Sequence, residues 1–196
     1  VLYFEALSVT FDAYESLKRA LKGVRLKGCK GLVARVREIK DTVEIGYLKK
    51  AARIAEEGFK EAEKLIKRYD RGISELDVSE AIERVLKKNG ASKPSFDIIV
   101  ASGARSALPH GIASAKRIKK GELVIVDMGS TYRGYNSDAT RTFITGKGTK
   151  KQEEIFTVVK EAHDLAIKAV RPGVRASEVD RAAREHIERA GYVEFF

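Results

Sequence analysis

Two carboxylates in one short stretch, Asp127 and Asp138 of ELVIVDMGSTYRGYNSDATRTF (122–143), are the residues in this chain best placed to do chemistry. Leu123-Val124-Ile125-Val126 is an apolar, β-branched run that reads as a buried strand and leads directly into Asp127. A carboxylate at the end of such a strand must be hydrogen-bonded, neutralised or bound to a cation. If Arg133-Gly134 is a two-residue hairpin loop, Tyr132 pairs with Tyr135, Gly129 with Asp138, and Asp127 with Thr140. Side chains alternate between the faces of a sheet, so Asp127 and Asp138 then share a face as diagonal neighbours, roughly 7–8 Å apart at the backbone. They could converge on one metal ion, or on a pair of ions about 3.5–4 Å apart. A three-residue loop would instead put them on opposite faces. The plainer reading has Asp127 capping the turn and Asp138 solvated.

The elements around this hairpin can be read in order. Residues 1–7 suggest a strand, and Thr10 caps a helix over Phe11–Leu21 with Phe11, Tyr14, Leu17 and Leu21 on one face. Gly31–Val36 reads as a further strand. Asp41 and Glu44 form a capping pattern for a long helix. Its inward stripe is Ile45, Leu48, Ala52, Ala55, Phe59, Ala62, Ile66 and Tyr69. Ser74 caps a second helix over Glu75–Lys88, Phe96–Ala101 is a strand, and Gly103–Gly111 is a loop carrying Pro109 and His110. Beyond the hairpin, helices span about Thr149–Val170, with Ile155, Val158, Ala162, Leu165 and Ala169 inward, and Ala176–Ala190.

An internal repeat links the two helix pairs. Lys60-Glu61-Ala62 recurs as Lys160-Glu161-Ala162, Gly72-Ile73 as Gly173-Val174, Val78 as Val179, Ala81 as Ala182, Leu86 as Ile187 and Gly90 as Gly191. Val193-Glu194-Phe195 then reads as the start of a strand, as after the first pair. The repeat leads us to expect a second sheet downstream, with Phe195-Phe196 buried.

Composition narrows the function classes. The chain has 196 residues, is 43% hydrophobic, and has a mean hydropathy of −0.28, as for a globular protein. It has no apolar run of membrane-spanning length. One cysteine, Cys29, excludes an internal disulfide framework and a multi-cysteine zinc site, and suits a reducing cytoplasm. Net charge is +10, but Lys and Arg alternate with Glu along the helices, as on a solvated surface, and the basic stretch Lys18–Lys30 has no interleaved aromatics. That argues against nucleic acid as a partner. Amides are scarce (Asn89, Asn136 and Gln152) among 34% charged residues, a composition suited to high temperature.

Several ordered motifs resemble the pita-bread metallopeptidases, the clan of methionine aminopeptidase and prolidase. They are Arg37-Glu38-Ile39-Lys40-Asp41 leading into Ala51–Ala55, Ser95–Gly103, Ser106-Ala107-Leu108-Pro109-His110-Gly111, Asp127-x-Gly129, and Ser137-Asp138-x-Thr140-Arg141-Thr142. Within the clan the chain is most similar to a microbial Xaa-Pro dipeptidase (prolidase) or the related Xaa-Pro aminopeptidases. The resemblance implies an α/β (α+β) pita-bread fold, creatinase/aminopeptidase-like, with a pseudo-two-fold repeat that is incomplete here in its C-terminal half. It makes residues 1–36 the tail of a creatinase-like N-terminal domain and 37–196 the first and middle parts of the catalytic domain.

It further implies two divalent metal ions, manganese or cobalt first and zinc or iron as alternatives, held by two Asp, one His and two Glu. Asp127 and Asp138 match the two Asp. His110 matches a histidine that contacts substrate near the scissile carbonyl, and Thr140 is read beside these as orienting a carboxylate. The remaining His and two Glu would lie beyond Phe196, and His163 and His186 do not match them by motif. By itself the chain as written is therefore not expected to hydrolyse peptides. The implied activity is hydrolysis of Xaa-Pro dipeptides or peptides by a cytoplasmic homodimer. The alternatives are Xaa-Pro aminopeptidase specificity or a non-catalytic binding protein on the same fold.

Overall fold

The computed structural model describes residues 1–196, which divide into two compact units, Val1–Lys49 and Lys50–Phe196. In the first, β1 (Leu2–Glu5) precedes α1 (Phe11–Ala20), and β2 (Leu26–Cys29) lies parallel to β1. The Thr10 hydroxyl accepts from Ala13 N, so the expected cap is present, and Tyr14 packs against Phe4 with ring centroids 5.4 Å apart. Phe11, expected on the same inward face, is exposed. The expected strand over Gly31–Val36 is a helix, α2 (Leu32–Glu38), and the strand lies earlier, at β2. Leu32-Val33-Ala34-Arg35-Val36 has the apolar, β-branched composition of a strand, but the segment has no strand partner and closes helical bonds from Arg35 N to Gly31 O.

α3 (Thr42–Ile66) opens on the expected capping box, with Glu44 N donating to Asp41 Oδ1 and Asp41 N to Glu44 Oε2. Within the second unit its buried residues are Ala51, Ile54, Ala55, Gly58, Phe59, Ala62 and Ile66. Ala52, expected inward, is exposed. The buried face is wider than a strict three-and-four stripe, and Gly58 lets Met128 press against the helix. α4 (Glu75–Lys88) follows, capped by Ser74 with Asp77 closing the box.

Two small antiparallel sheets follow. In one, β4 (Ile99–Ser102), β5 (Leu123–Met128) and β8 (Ala139–Ile144) lie in the order β4-β5-β8; in the other, β3 (Lys93–Pro94), β6 (Ser130–Tyr132) and β7 (Tyr135–Asn136) lie in the order β3-β6-β7. Val124, Val126 and Met128 point from β5 into a core built with Ile54, Phe59 and Ile66 of α3 and Val78, Ile82 and Leu86 of α4. Leu123, Ile125 and Asp127 alternate to the opposite, half-exposed face.

α5 (Lys150–Ala169) and α6 (Ala176–Arg189) pack on each other and reproduce the α3–α4 pattern; α4 and α6 each have 14 residues, and Gly72 and Gly173 hold the turns before them at φ 75° and 82°. Of the five α5 residues expected inward only Ala162 is buried, and Ile155 and Leu165 are exposed. The chief partner of α5 is one helix, which covers one side, whereas the α3 stripe also meets a sheet. The expected strand start at Val193 is a 3₁₀ turn (Val193–Phe195), because no strand lies beside it to pair with, and Phe195 and Phe196 are 77% and 60% exposed. No helix is long and apolar enough to cross a membrane.

Candidate metal centre

The hairpin has the register that a two-residue loop predicts. Tyr132 pairs with Tyr135, Thr131 with Asn136, Met128 with Ala139 and Asp127 with Thr140, so one register runs the whole length. Arg133 and Gly134 turn at φ 51° and 83°, both in the left-handed region that a type I′ two-residue loop requires. Glycine supplies the second of these without strain. Asp127 is half-buried, Asp138 is exposed, and alternation puts both on the face away from the core. Thr140 Oγ1 donates to Asp127 Oδ1 at 2.9 Å, which fixes the rotation of that carboxylate.

Gly129 is where the hairpin is drawn tightest. A Cβ there would stand 1.8 Å from the Ser137 carbonyl oxygen and 2.1 Å from Ser95 Oγ. The strands are further tied by Ser137 N to Ser130 O (2.9 Å), Ser130 N to Ser137 Oγ (3.0 Å) and Ser95 Oγ to Ser137 O (2.8 Å). Ser130 Oγ and Ser137 Oγ both donate to the Ala51 carbonyl of α3, at 2.8 and 3.2 Å. The run of serines around Asp138 therefore anchors the hairpin to the helix behind it.

The other candidate residues stand apart. His110 is exposed in the loop after β4, where its carbonyl accepts from Ile112 N at 2.8 Å. His163 and His186 lie on α5 and α6, beside Asp164 and Glu161 respectively. His163 lines a groove of about 640 Å³ on the open sheet face together with Ile125, Thr140 and Thr142. No three or more His, Cys, Asp or Glu side chains gather closely enough to hold an ion. Asp127 and Asp138 fit as two hard oxygen donors for a divalent cation, and this stretch of chain supplies those two and no third.

One residue that sequence reasoning passed over is Glu75. In the first turn after a Ser74 cap, it looks like an ordinary surface carboxylate favoured by the helix dipole. Instead it is completely buried. Burial pushes its carboxyl up, but hydrogen bonds from Ser114 and Ser102 and the charge of Arg105 outweigh this, and its pKa is lowered from the ordinary 4.5. Nearby, Lys116 Nζ bridges Ser102 Oγ (2.7 Å) and both oxygens of Glu122 (2.9 and 2.8 Å). Burial also acts to raise Glu122, and the Lys116 and Lys119 donors reverse it to a net lowering. A marker for such a site is visible only in hindsight: Ser102, Arg105, Ser114 and Lys116 all flank one loop.

Comparison with known proteins agrees with this architecture. The sequence profile of metallopeptidase family M24 matches residues 46–196. The Xaa-Pro dipeptidase of Pyrococcus horikoshii is 41% identical over 189 residues, covering 96% of this chain and 53% of that protein. Among solved structures, the Xaa-Pro dipeptidase from Bacillus anthracis superposes with a TM-score of 0.90 at 41% identity, over 98% of this chain and 53% of that one. The X-Pro aminopeptidase from Thermotoga maritima does so with a TM-score of 0.90 at 34% identity, over 98% and 54%. The chain thus spans about half the length of the curated relatives it matches. With the profile, the fold and the ordered motifs in agreement, the chain belongs to metallopeptidase family M24 and has that family's pita-bread α/β architecture.

Proposed function

We propose that this chain forms part of a metal-dependent exopeptidase that hydrolyses Xaa-Pro bonds, as a dipeptidase in the first instance. The observation that carries the reading is the hairpin register, the same in β5–β8 as in β6–β7, which by strand alternation sets Asp127 and Asp138 on one face, with Thr140 bonded to the first. Asp127 and Asp138 would hold two divalent ions, manganese or cobalt, with zinc or iron as alternatives. Bound there, such ions supply an acidified water and positive charge for a developing oxyanion. Thr140 holds one oxygen of Asp127 and leaves the other for the ion. His110 contacts the substrate near its scissile carbonyl, from a loop that leaves its side chain open to solvent. The names of the relatives support proline after the scissile bond and favour a dipeptide over a longer peptide.

In this reading residues 1–36 are the end of a creatinase-like N-terminal domain and residues 37–196 the first and middle parts of the catalytic domain. Homodimerisation and a cytoplasmic location belong to the same proposal. The test is release of the N-terminal residue Xaa from an Xaa-Pro dipeptide, an Xaa-Pro-Yaa tripeptide and an Xaa-Ala dipeptide. It uses the longest form its gene encodes, stripped of metal and then supplied with manganese or cobalt. Metal-dependent cleavage of the Xaa-Pro dipeptide is expected, with the tripeptide and Xaa-Ala at least tenfold slower. Cleavage of the tripeptide in preference would assign an aminopeptidase, and no cleavage of any of the three would overturn the reading.

A further inference from the structure

We propose that Glu75 is a positioning residue for His110, a buried carboxylate that cinches both ends of the loop on which His110 sits. The proposal rests on the assignment of His110 to the substrate site. The loop leaves β4 at Ser102 and returns at Ser114. Glu75 Oε1 accepts from Ser102 N and Ser102 Oγ, each at 2.8 Å. Glu75 Oε2 accepts from Ser114 Oγ at 2.7 Å, Ser114 N at 3.2 Å and Arg105 Nε at 3.1 Å. One oxygen holds the departing strand and the other holds the returning one. Arg105 then crosses the loop, with Nη2 donating to the Ile112 carbonyl at 2.7 Å. The backbone of α4 completes the seat through Glu75 N to Lys116 O and Leu76 N to Ser114 O, both at 3.0 Å.

Five donors saturate a carboxylate, which has about four lone-pair directions. All five come from the loop's base or from Arg105 within it. A buried charge is weak evidence for stability as such, since an apolar side chain of the same volume is often as stable. What the charge adds is direction: a loop of ten residues and more, exposed from Ala107 to His110, leaves and re-enters the fold at a point the carboxylate holds. His110 has no comparable anchor of its own, its hydrogen bond being a backbone one inside the loop. The geometry of its side chain relative to Asp127 and Asp138 is therefore inherited from the Glu75 clamp.

The deciding substitution is Glu75→Gln in the longest encoded form. It keeps the shape, but its amide nitrogen must face either Ser102 N or the pair Arg105 Nε and Ser114 N, which can only donate. One end of the loop is then released. We expect helix content to be retained and hydrogen exchange of peptides spanning 103–113 to rise at least tenfold, with α3 and β5 unchanged. The His110 imidazole signal should shift or broaden while those of His163 and His186 do not. In the metal-loaded protein, kcat for an Xaa-Pro dipeptide should fall at least tenfold with KM changed less than threefold. Ser114→Ala, which keeps the charge and deletes the Oγ bond to Glu75 together with the bond from Lys116 N to that Oγ, should move the same observables in the same direction by less, and it decides the matter if Glu75→Gln does not fold. Unchanged loop exchange, or an unchanged His110 signal and kcat, would overturn the proposal alone. A wild-type protein that cleaves no Xaa-Pro bond would overturn the peptidase reading and this role with it.

Discussion

Gly129→Ala is the substitution whose outcome the geometry fixes most tightly. An alanine Cβ would lie 1.8 Å from Ser137 O, and an unstrained carbon–oxygen contact needs about 3.3 Å. The Ser137 carbonyl must therefore retreat by about 1.5 Å, farther than a hydrogen bond can stretch. That movement breaks the Ser95 Oγ to Ser137 O bond of 2.8 Å and the Ser137 N to Ser130 O bond of 2.9 Å. Each is worth about 1 kcal/mol net, and polar groups left unpaired against the helix add to the loss, giving a destabilisation of roughly 3 kcal/mol. For a chain of this length that corresponds to a fall in Tm of about 6–12 °C. The assay is thermal and urea unfolding of wild type and variant side by side, with manganese titration of both. Because the shift occurs beside Asp138, metal affinity should fall as well. A variant that melts within 2 °C of wild type would refute the close approach of the two strands, and with it the hairpin geometry on which the carboxylate pair depends.

Other outcomes follow from the same structure. Asp127→Asn and Asp138→Asn should each weaken manganese binding at least a hundredfold by calorimetric titration, while Thr140→Val, which frees Asp127 to rotate, should weaken it about 10–100-fold with little change in Tm. Ser74→Ala removes the side-chain half of the α4 capping box and should lower unfolding free energy by about 1 kcal/mol in urea. Glu75 and Glu122 both have folded pKa values below their ordinary 4.5, so the stability they contribute is complete above pH 4.5 and is lost as pH falls through the lower folded values. Acid titration of stability should accordingly be less steep below pH 4.5 in Glu75→Gln than in wild type.

How much of this was legible in the sequence depended on how local the determinant was. The register of the 122–143 hairpin could be read because an Arg-Gly turn sits between two alternating strands, and turn length alone decides which residues share a face. Caps at Thr10, Asp41 and Ser74 were equally local and fall where the pattern puts them. Gly31–Val36 was misread because strand and short-helix patterns coincide over a few apolar residues, and only the absence of a pairing partner separates them. The inward set of α5 failed for a related reason: periodicity identifies an apolar stripe, and burial requires something on the other side of it. Glu75 was invisible because its five partners come from Ser102, Arg105 and Ser114, residues 27 to 39 positions away that no spacing rule links to it.

The central claim, that Asp127 and Asp138 jointly hold catalytic metal, is tested most directly by metal content after exhaustive dialysis. Wild type and the Asp127→Asn/Asp138→Asn pair would be loaded with manganese in the longest encoded form and compared by elemental analysis. The account predicts retained manganese in wild type and at least tenfold less in the double variant, with both proteins folded. Equal retention would contradict it and place the metal elsewhere.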